Sequence, residues 1–117
     1  MPLYDSELKV LELLWEHGEM RASEIYKVLE SKIGWNRNTS YTVIKKCVEK
    51  GLVQRTEPNF MCKALITKEE AQKNGISELV HRFFDDSPTE LMRAFVNKNN
   101  LTEQDIIELE ELVKKLK

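Results

Sequence analysis

The stretch Trp35-Asn-Arg-Asn-Thr-Ser-Tyr-Thr-Val-Ile-Lys-Lys-Cys-Val-Glu-Lys-Gly51 decides the fold, because it predicts one helix with two chemically different faces. At helical spacing the apolar side chains share one side of this helix. They are Val43, Ile44, Cys47 and Val48. The other side is polar and basic, and consists of Arg37, Asn38, Thr39, Tyr41, Thr42, Lys45 and Lys46. Such a helix, spanning about 37–50, can pack by one face and offer the other to a partner.

The polar face combines the side chains that read bases with those that bind phosphate. Arginine pairs with guanine through two hydrogen bonds, asparagine does the same with adenine, threonine can contact the thymine methyl, and lysine neutralises phosphate. The face therefore suits the major groove of double-stranded DNA. The alternative is an ordinary solvated face, since polar residues cover the outside of most amphipathic helices.

Two further helices are predicted before this one. Leucines at three- and four-residue steps predict a helix from about Asp5, its expected cap, to His17, with Gly18 as the stop. A second helix should run from about Ala22 to Lys32 and end at Gly34. Three short helices with a glycine between the second and third are typical of a helix-turn-helix, whose second member enters the groove.

A strand, turn and strand pattern follows Gly51. Residues 52–56 and 60–66 predict two strands, and Glu57-Pro-Asn59 predicts the turn between them. A hairpin directly after a recognition helix is the wing of a winged helix. Arg55 and Lys63 are its candidate phosphate ligands, and solvent exposure is the alternative for each.

The overall charge hides a basic segment. The 117 residues have a formal net charge of −2, but residues 37–63 contain six lysines and arginines against two glutamates, a local net of +4. Long-range attraction to a polyanion should therefore be weak. Binding would depend on local contacts and on two copies acting together.

Neither cysteine has a neighbour at metal-ligand spacing. Cys47 and Cys62 are predicted to be reduced packing residues, with a disulfide between helix and wing as the alternative. The sequence contains no secretory signal and no apolar run long enough to cross a bilayer. We expect a cytoplasmic protein with no cofactor, no metal and no membrane contact.

The carboxy-terminal part predicts three helices, each with one apolar stripe. Their starts are marked by capping boxes at Thr67 and Ser87 and by a weaker one at Thr102, while Gly75 predicts a bend or a late start near Ile76. Helices this short bury little alone, so the stripes predict a homodimer, and folding back as one monomeric domain is the alternative. The candidate dimerisation residues are Leu79, Phe83, Phe84, Leu91, Phe95, Ile106, Leu109, Leu112, Val113 and Leu116.

The predicted fold class is mainly α with a small β-hairpin wing. A winged helix-turn-helix DNA-binding domain in residues 1–67 should be followed by a three-helix dimerisation region in residues 68–117.

Several motifs, in this order and spacing, resemble the penicillinase repressor family. They are Asp5-Ser-Glu-Leu8, Leu14-Trp-Glu16, Trp35-Asn-Arg-Asn-Thr39, Lys50-Gly51, Ala94-Phe-Val96 and Leu101-Thr-Glu-Gln-Asp-Ile-Ile-Glu-Leu-Glu-Glu-Leu112. The resemblance covers nearly the whole chain. It implies a dimeric winged-helix repressor that binds a palindromic operator and represses transcription.

The resemblance also implies roles for particular residues. The family's Trp-Ser-x-x-Thr motif corresponds to Trp35, Asn36 and Thr39, and Trp35 is expected to anchor packing rather than read bases. Family members in antibiotic resistance are inactivated by a protease, which would cut near Ala94 and Phe95 here. The copper-responsive branch ends in a cysteine-rich metal motif that this sequence lacks.

The sequence departs from the family pattern at three places. Tyr4 stands where a small hydroxyl cap is common, Pro58-Asn59 replaces a Gly-Arg type of wing tip, and Gly75 interrupts a helix. The bases that are read, and the inducing signal, are therefore open.

Two other classes of function fit the sequence less well. An enzyme is disfavoured, because His17 and His81 have no nucleophile or carboxylate at matched spacing and the sequence contains no glycine-rich phosphate loop. A winged helix that binds protein without DNA specificity is the alternative, and the near-neutral net charge supports it.

Overall fold

The computed structural model describes residues 3–97 and 99–117. It has the predicted class, mainly α with a small antiparallel sheet that contains the wing. The elements in chain order are α1 (Asp5–His17), β1 (Met20–Arg21), α2 (Ala22–Ile33), α3 (Arg37–Glu49), β2 (Val53–Thr56), β3 (Met61–Ala64), α4 (Lys68–Phe83), α5 (Pro88–Phe95) and α6 (Glu103–Lys115).

The ends of α1 and α2 follow from local hydrogen bonding. Gly34 ends α2 in the left-handed conformation (φ 73°, ψ 19°), and its N–H donates to the Glu30 carbonyl. The cap of α1 is Tyr4, so the prediction of Asp5 was wrong. The Tyr4 N–H donates to Glu7 Oε1 at 2.9 Å, and this carboxylate satisfies the helix start in place of a capping side chain.

The sheet has three strands in the order β1-β3-β2, all antiparallel. The hairpin of β2 and β3 was predicted, whereas β1 was missed. β1 consists of two residues, too few for an alternating pattern, and it forms because Met20 lies opposite Cys62 on β3. The sheet therefore ties the wing to the start of α2.

The apolar face of α3 lies in a core shared by α1, α2 and the sheet. Each large aliphatic side chain buried there stabilises the fold by about 1.5–3 kcal/mol. The core residues are Val10, Leu11, Leu13, Leu14, Met20, Ala22, Ile25, Leu29, Val43, Ile44, Cys47, Val53 and Cys62.

Both cysteines are free and fully buried in this core, as expected for reduced packing residues. Burial raises the pKa of the Cys47 thiol to about 12, with a further upward contribution from Glu7. Burial also raises the pKa of Cys62, to about 11. At physiological pH both thiols stay protonated, and the protonated thiol is a poor nucleophile.

The chain divides into two compact units, one ending at Gly75 and the other starting at Ile76. The predicted boundary between residues 67 and 68 coincides with the start of α4, and the division between units lies further along the same helix. The expected late start near Ile76 was wrong. Thr67 and Glu70 cap α4 reciprocally at 3.0 and 3.1 Å, so the helix begins at Lys68 and runs through Gly75.

The second unit contains the predicted helices α5 and α6. Ser87 caps α5 through a bond from the Glu90 N–H, and Thr102 and Asp105 form a reciprocal capping box on α6. Val80 is buried, but most apolar side chains of this unit are exposed. These exposed residues are Ile76, Leu79, Phe83, Met92, Phe95, Val96, Ile106, Ile107, Leu112, Val113 and Leu116.

A buried ion pair connects the start of α1 to the end of α3. Glu7 is 1% exposed, and its Oε1 lies 2.7 Å from the Lys50 ammonium. The same ammonium lies 4.3 Å from the centre of the Tyr4 ring. Since the carboxylate already caps α1, it fixes both helix ends at once.

Replacing Lys50 by methionine should therefore destabilise the fold. The variant keeps the aliphatic stem but leaves a buried carboxylate without its cation, at a cost of roughly 3–5 kcal/mol. Urea unfolding of the full-length chain at fixed protein concentration measures this loss. Lys46→Met removes an exposed ammonium from the same helix and should change stability by less than about 0.5 kcal/mol. Equal losses in the two variants would refute the role of the ion pair.

Candidate nucleic-acid interface

The start of α3 is fixed by the two residues before it. Asn36 is the cap, and its Oδ1 accepts a hydrogen bond from the Thr39 N–H at 2.8 Å. Trp35 is half-buried and packs against the core, as predicted. The first turn contains no acidic residue, so the positive end of the helix dipole is not opposed there.

Six of the seven predicted α3 residues are exposed together on the outer face of the helix. Ser40 also belongs to α3, but it is fully buried on the inner face of this helix. The six exposed residues are Arg37, Asn38, Thr39, Thr42, Lys45 and Lys46. The structure thus gathers the candidate base-reading and phosphate-binding residues on one surface, and the opposite face of the helix is buried.

Tyr41, the seventh predicted residue of α3, is half-buried, and its ring contacts a residue of the same helix and a residue of the wing. The Arg37 guanidinium lies 5.1 Å from the centre of the Tyr41 ring. On its other side, Tyr41 meets the Phe60 ring edge to face, with centroids 6.0 Å apart and planes at 79°. The Arg55 guanidinium lies 3.7 Å from the centre of the Phe60 ring. We call this series of four side chains, Arg37, Tyr41, Phe60 and Arg55, the aromatic ladder.

The two predicted wing residues lie on opposite faces of the hairpin. Directly opposed residues of an antiparallel pair point to the same side. Arg55 is opposite the buried Cys62, whereas Lys63 is opposite the exposed Gln54. The structure therefore joins Arg55 to α3 through the aromatic ladder and places Lys63 on the other face.

Ion pairing reduces the basic charge that this surface offers. Lys50 is tied to the buried Glu7 and does not belong to the outer face of α3. Arg55 forms an ion pair with Glu57 at the turn of the wing. The local +4 already counts the charge of Glu57, so it is the pairing of Lys50 with Glu7, outside residues 37–63, that leaves less charge available to a polyanion.

A further pair of side chains on α2 lies close to Arg37 and was missed by the sequence analysis. The Tyr26 hydroxyl donates to a Glu30 carboxylate oxygen, four residues on. This hydrogen bond raises the pKa of Tyr26, whereas the charge of Arg37 acts in the opposite direction. The four-residue spacing in the sequence could have indicated this pair. That the pair lies close to α3 depends on how α2 and α3 cross.

A family model describes nearly all of this chain. The penicillinase repressor model matches residues 3–115. The chain belongs to the penicillinase repressor family. This confirms the resemblance seen in the sequence.

Individual relatives are distant but cover most of the chain. Methicillin resistance regulatory protein MecI of Mammaliicoccus sciuri is 21% identical over 112 residues, 94% of this chain and 91% of that protein. MecI of Staphylococcus aureus strain N315 gives the same figures. An uncharacterised 16.5 kDa protein of Latilactobacillus sakei is 24% identical over 110 residues, 92% of this chain and 75% of that protein.

A similar fold is found among solved structures, for example in one DNA-binding domain. This example is the solution structure of the DNA-binding domain of the repressor BlaI, with a TM-score of 0.54 and 23% identity over 58% of this chain and 85% of that domain. Penicillinase repressors are regulatory DNA-binding proteins, so this chain is a DNA-binding repressor and not an enzyme. In the described residues, no helix has the length and hydrophobicity needed to cross a membrane.

Two asparagines at the start of α3 should respond differently to substitution. Asn36→Ala removes the cap and should cost about 1 kcal/mol of unfolding free energy. Asn38→Ala removes an exposed amide and should change stability by less than about 0.5 kcal/mol. Urea titrations of the two variants and the parent compare these losses. An Asn38 variant as unstable as the Asn36 variant would contradict this separation of roles.

Proposed function

We propose that this penicillinase repressor binds a palindromic operator as a homodimer, with α3 in the major groove. The observation that supports this most directly is the outer face of α3. It exposes Arg37, Asn38, Thr39 and Thr42 beside the phosphate-binding candidates Lys45 and Lys46. The inner face is fixed in the core, so the helix can be presented to DNA as a rigid element.

Each of these groups suits a different part of the duplex. Arg37 and Asn38, in the first turn, would pair with guanine and adenine edges, since recognition helices read bases mainly with their amino-terminal residues. Thr39 and Thr42 would contact bases or thymine methyls. Lys45 and Lys46, further along, would neutralise phosphates and add no sequence preference.

The wing would add contacts to the backbone beside the groove. Arg55 is joined to α3 by the aromatic ladder, so it is the wing residue that we expect to bind phosphate next to the recognition helix. Lys63 lies on the opposite face of the hairpin and would contribute less.

The exposed apolar surface of the second unit supports the proposed homodimer. Phe83 is 65% exposed and Leu112 is 56% exposed, and many other apolar residues of that unit are uncovered. Large exposed apolar patches mark interaction surfaces. A second copy of the chain is the partner we propose, because the weak basic charge of one recognition surface calls for two copies on one DNA. The proposed interface consists of Leu79, Phe83, Phe84, Leu91, Phe95, Ile106, Leu109, Leu112, Val113 and Leu116.

A dimer places a geometric requirement on the operator. The two recognition helices should enter successive major grooves, so the half-sites should be roughly one helical turn, about 10 base pairs, or a multiple of that apart. The palindrome would reflect the two-fold symmetry of the protein.

Proteolysis would be a direct way to end repression. Ala94 and Phe95 lie in the last turn of α5, and both are exposed in the single chain. Cutting there would separate α6, with its share of the apolar stripe, from the rest of the repressor. We therefore propose a protease acting near Ala94-Phe95 as a further partner.

Selection from a random duplex pool with the full-length protein, at near-physiological salt, tests the proposed function. We expect a palindromic consensus with half-sites in phase on the helix. If the protein is folded and dimeric but enriches no sequence, a winged helix that binds protein would replace the operator proposal.

Substitutions on α3 should separate base reading from phosphate binding. Arg37→Ala and Asn38→Ala should each lower the affinity for the consensus by about 5–150-fold and relax the preference at one base pair. Lys45→Ala should weaken binding to all duplexes alike and reduce the slope of log affinity against log salt by about 1. Fluorescence anisotropy on consensus and scrambled duplexes over a salt series measures both effects. If all three variants bind like the parent, α3 is not the recognition helix.

A charge placed in the apolar stripe of α6 should disrupt the dimer. Leu112→Glu buries a carboxylate in the proposed interface and should give monomers that bind the operator at least tens of times more weakly, through loss of bivalency. Gln104→Glu adds the same charge at an exposed polar position of that helix and serves as the control. Sedimentation equilibrium and anisotropy report the two effects. A Leu112 variant that stays dimeric would show that the interface lies elsewhere.

A further inference from the structure

The aromatic ladder connects the wing to the recognition helix at the residue that is best suited to read a guanine. Phe60 is the wing member of the ladder and was not among the predicted site residues. We propose that Phe60 is a positioning residue for base recognition. It sets the orientation of the Arg37 guanidinium through the Tyr41 ring, without touching a base itself. This inference rests on the proposed function.

The backbone of Phe60 is held firmly in an unusual conformation. Its φ of 47° lies in the left-handed region, which a bulky residue rarely adopts. Its carbonyl accepts a hydrogen bond from the Ala22 N–H at 3.0 Å, and the Cys62 thiol lies 3.6 Å from the same oxygen. A strained residue persists when its surroundings determine it from several sides, and such residues cluster at functional positions.

The ring of Phe60 is held as firmly as its backbone. The Arg55 guanidinium covers it from the strand side, and Arg55 is itself held by Glu57. The Tyr41 ring meets it edge to face from the helix side. Because Tyr41 is half-buried against the core, its ring has a defined position that the wing can maintain.

Arg37 is the member of the ladder that needs positioning. It is the first residue of α3 and is exposed, so its long side chain would otherwise sample many rotamers. In the described part of the chain, no carboxylate forms a salt bridge with it, and the Tyr41 ring is its cation–π partner. A cation–ring contact uses none of the five N–H donors, so the guanidinium stays able to pair with guanine.

The expected effect of breaking the ladder is a loss of base discrimination. A well-oriented arginine distinguishes guanine from other bases by about 5–150-fold. If Phe60→Leu frees the Arg37 side chain, that discrimination should fall by about 3–10-fold, because fewer of its conformers are correctly placed. Phe60→Tyr keeps the ring and should retain the discrimination.

A double-mutant cycle tests this inference on the full-length protein. The probes are the consensus duplex from the pool selection and a duplex that differs at the base pair whose preference Arg37→Ala abolishes. Affinity for both is measured for the parent, Phe60→Leu, Arg37→Ala and the double variant. Arg37→Ala leaves no discrimination at this base pair to lose, so the cycle is read on affinity for the consensus duplex. We expect Phe60→Leu to lower this affinity and the discrimination about 3–10-fold in the parent, and to leave the consensus affinity unchanged in the Arg37→Ala background. A general loss of stability would lower the affinity for both duplexes alike and would not produce this pattern.

Three results would overturn the inference. The first is a Phe60→Leu variant with undiminished discrimination. The second is a loss of consensus affinity that persists without Arg37, which means that Phe60 acts on DNA by another route. The third is a Phe60→Tyr variant that loses base discrimination as Phe60→Leu does. Should Phe60→Leu not fold, Tyr41→Leu breaks the same ladder from the helix side and must show the same dependence on Arg37. If the parent itself selects no sequence, the proposed function fails, and this inference fails with it.

Discussion

The buried carboxylate of Glu7 is the constraint on which the rest of the first unit depends. One oxygen accepts the Tyr4 N–H at the start of α1 and meets the Lys50 ammonium at the end of α3. A buried charge is tolerated only when it is paired and hydrogen-bonded, so moving the two helix ends apart would cost free energy. With α3 fixed at its end by this pair and at its start by the Asn36 cap, its outer face has a defined orientation.

The same ion pair changes the electrostatic character of the surface. Lys50 supports the fold instead of attracting DNA, and Arg55 shares its charge with Glu57. What stays on the outer face of α3 is one arginine and two lysines among neutral polar side chains. Such a surface attracts DNA weakly from a distance and must rely on well-placed short-range contacts. The orientation of a single side chain such as Arg37 therefore matters more here than on a strongly basic protein.

Local patterns in the sequence predicted the helices and the hairpin, because helical spacing and turn residues depend only on near neighbours. The same holds for the two faces of α3 and the capping box at Thr67. The cap of α1 at Tyr4 and the start of α4 at Lys68 are local features that were predicted wrongly, but several other missed features depend on contacts between segments distant in sequence. Lys50 was counted as surface charge because its partner lies in α1, and β1 was invisible because its partner lies in the wing. The sequence pattern of Phe60 indicates only an ordinary strand residue, since the fold alone brings it to Tyr41.

The two units also differ in how completely each buries its own apolar side chains. The first unit buries a continuous core, whereas the second leaves residues such as Phe95 and Leu116 exposed on amphipathic helices with well-formed caps. Good capping shows that these helices are specified locally, so the exposed stripes are not a sign of poor helix formation. An apolar stripe on a well-specified helix is stabilised by burial against another surface. If a second copy covered this stripe, the stability of the unit and the pairing of two recognition helices would both depend on dimerisation. Separating the two copies would then also weaken DNA binding.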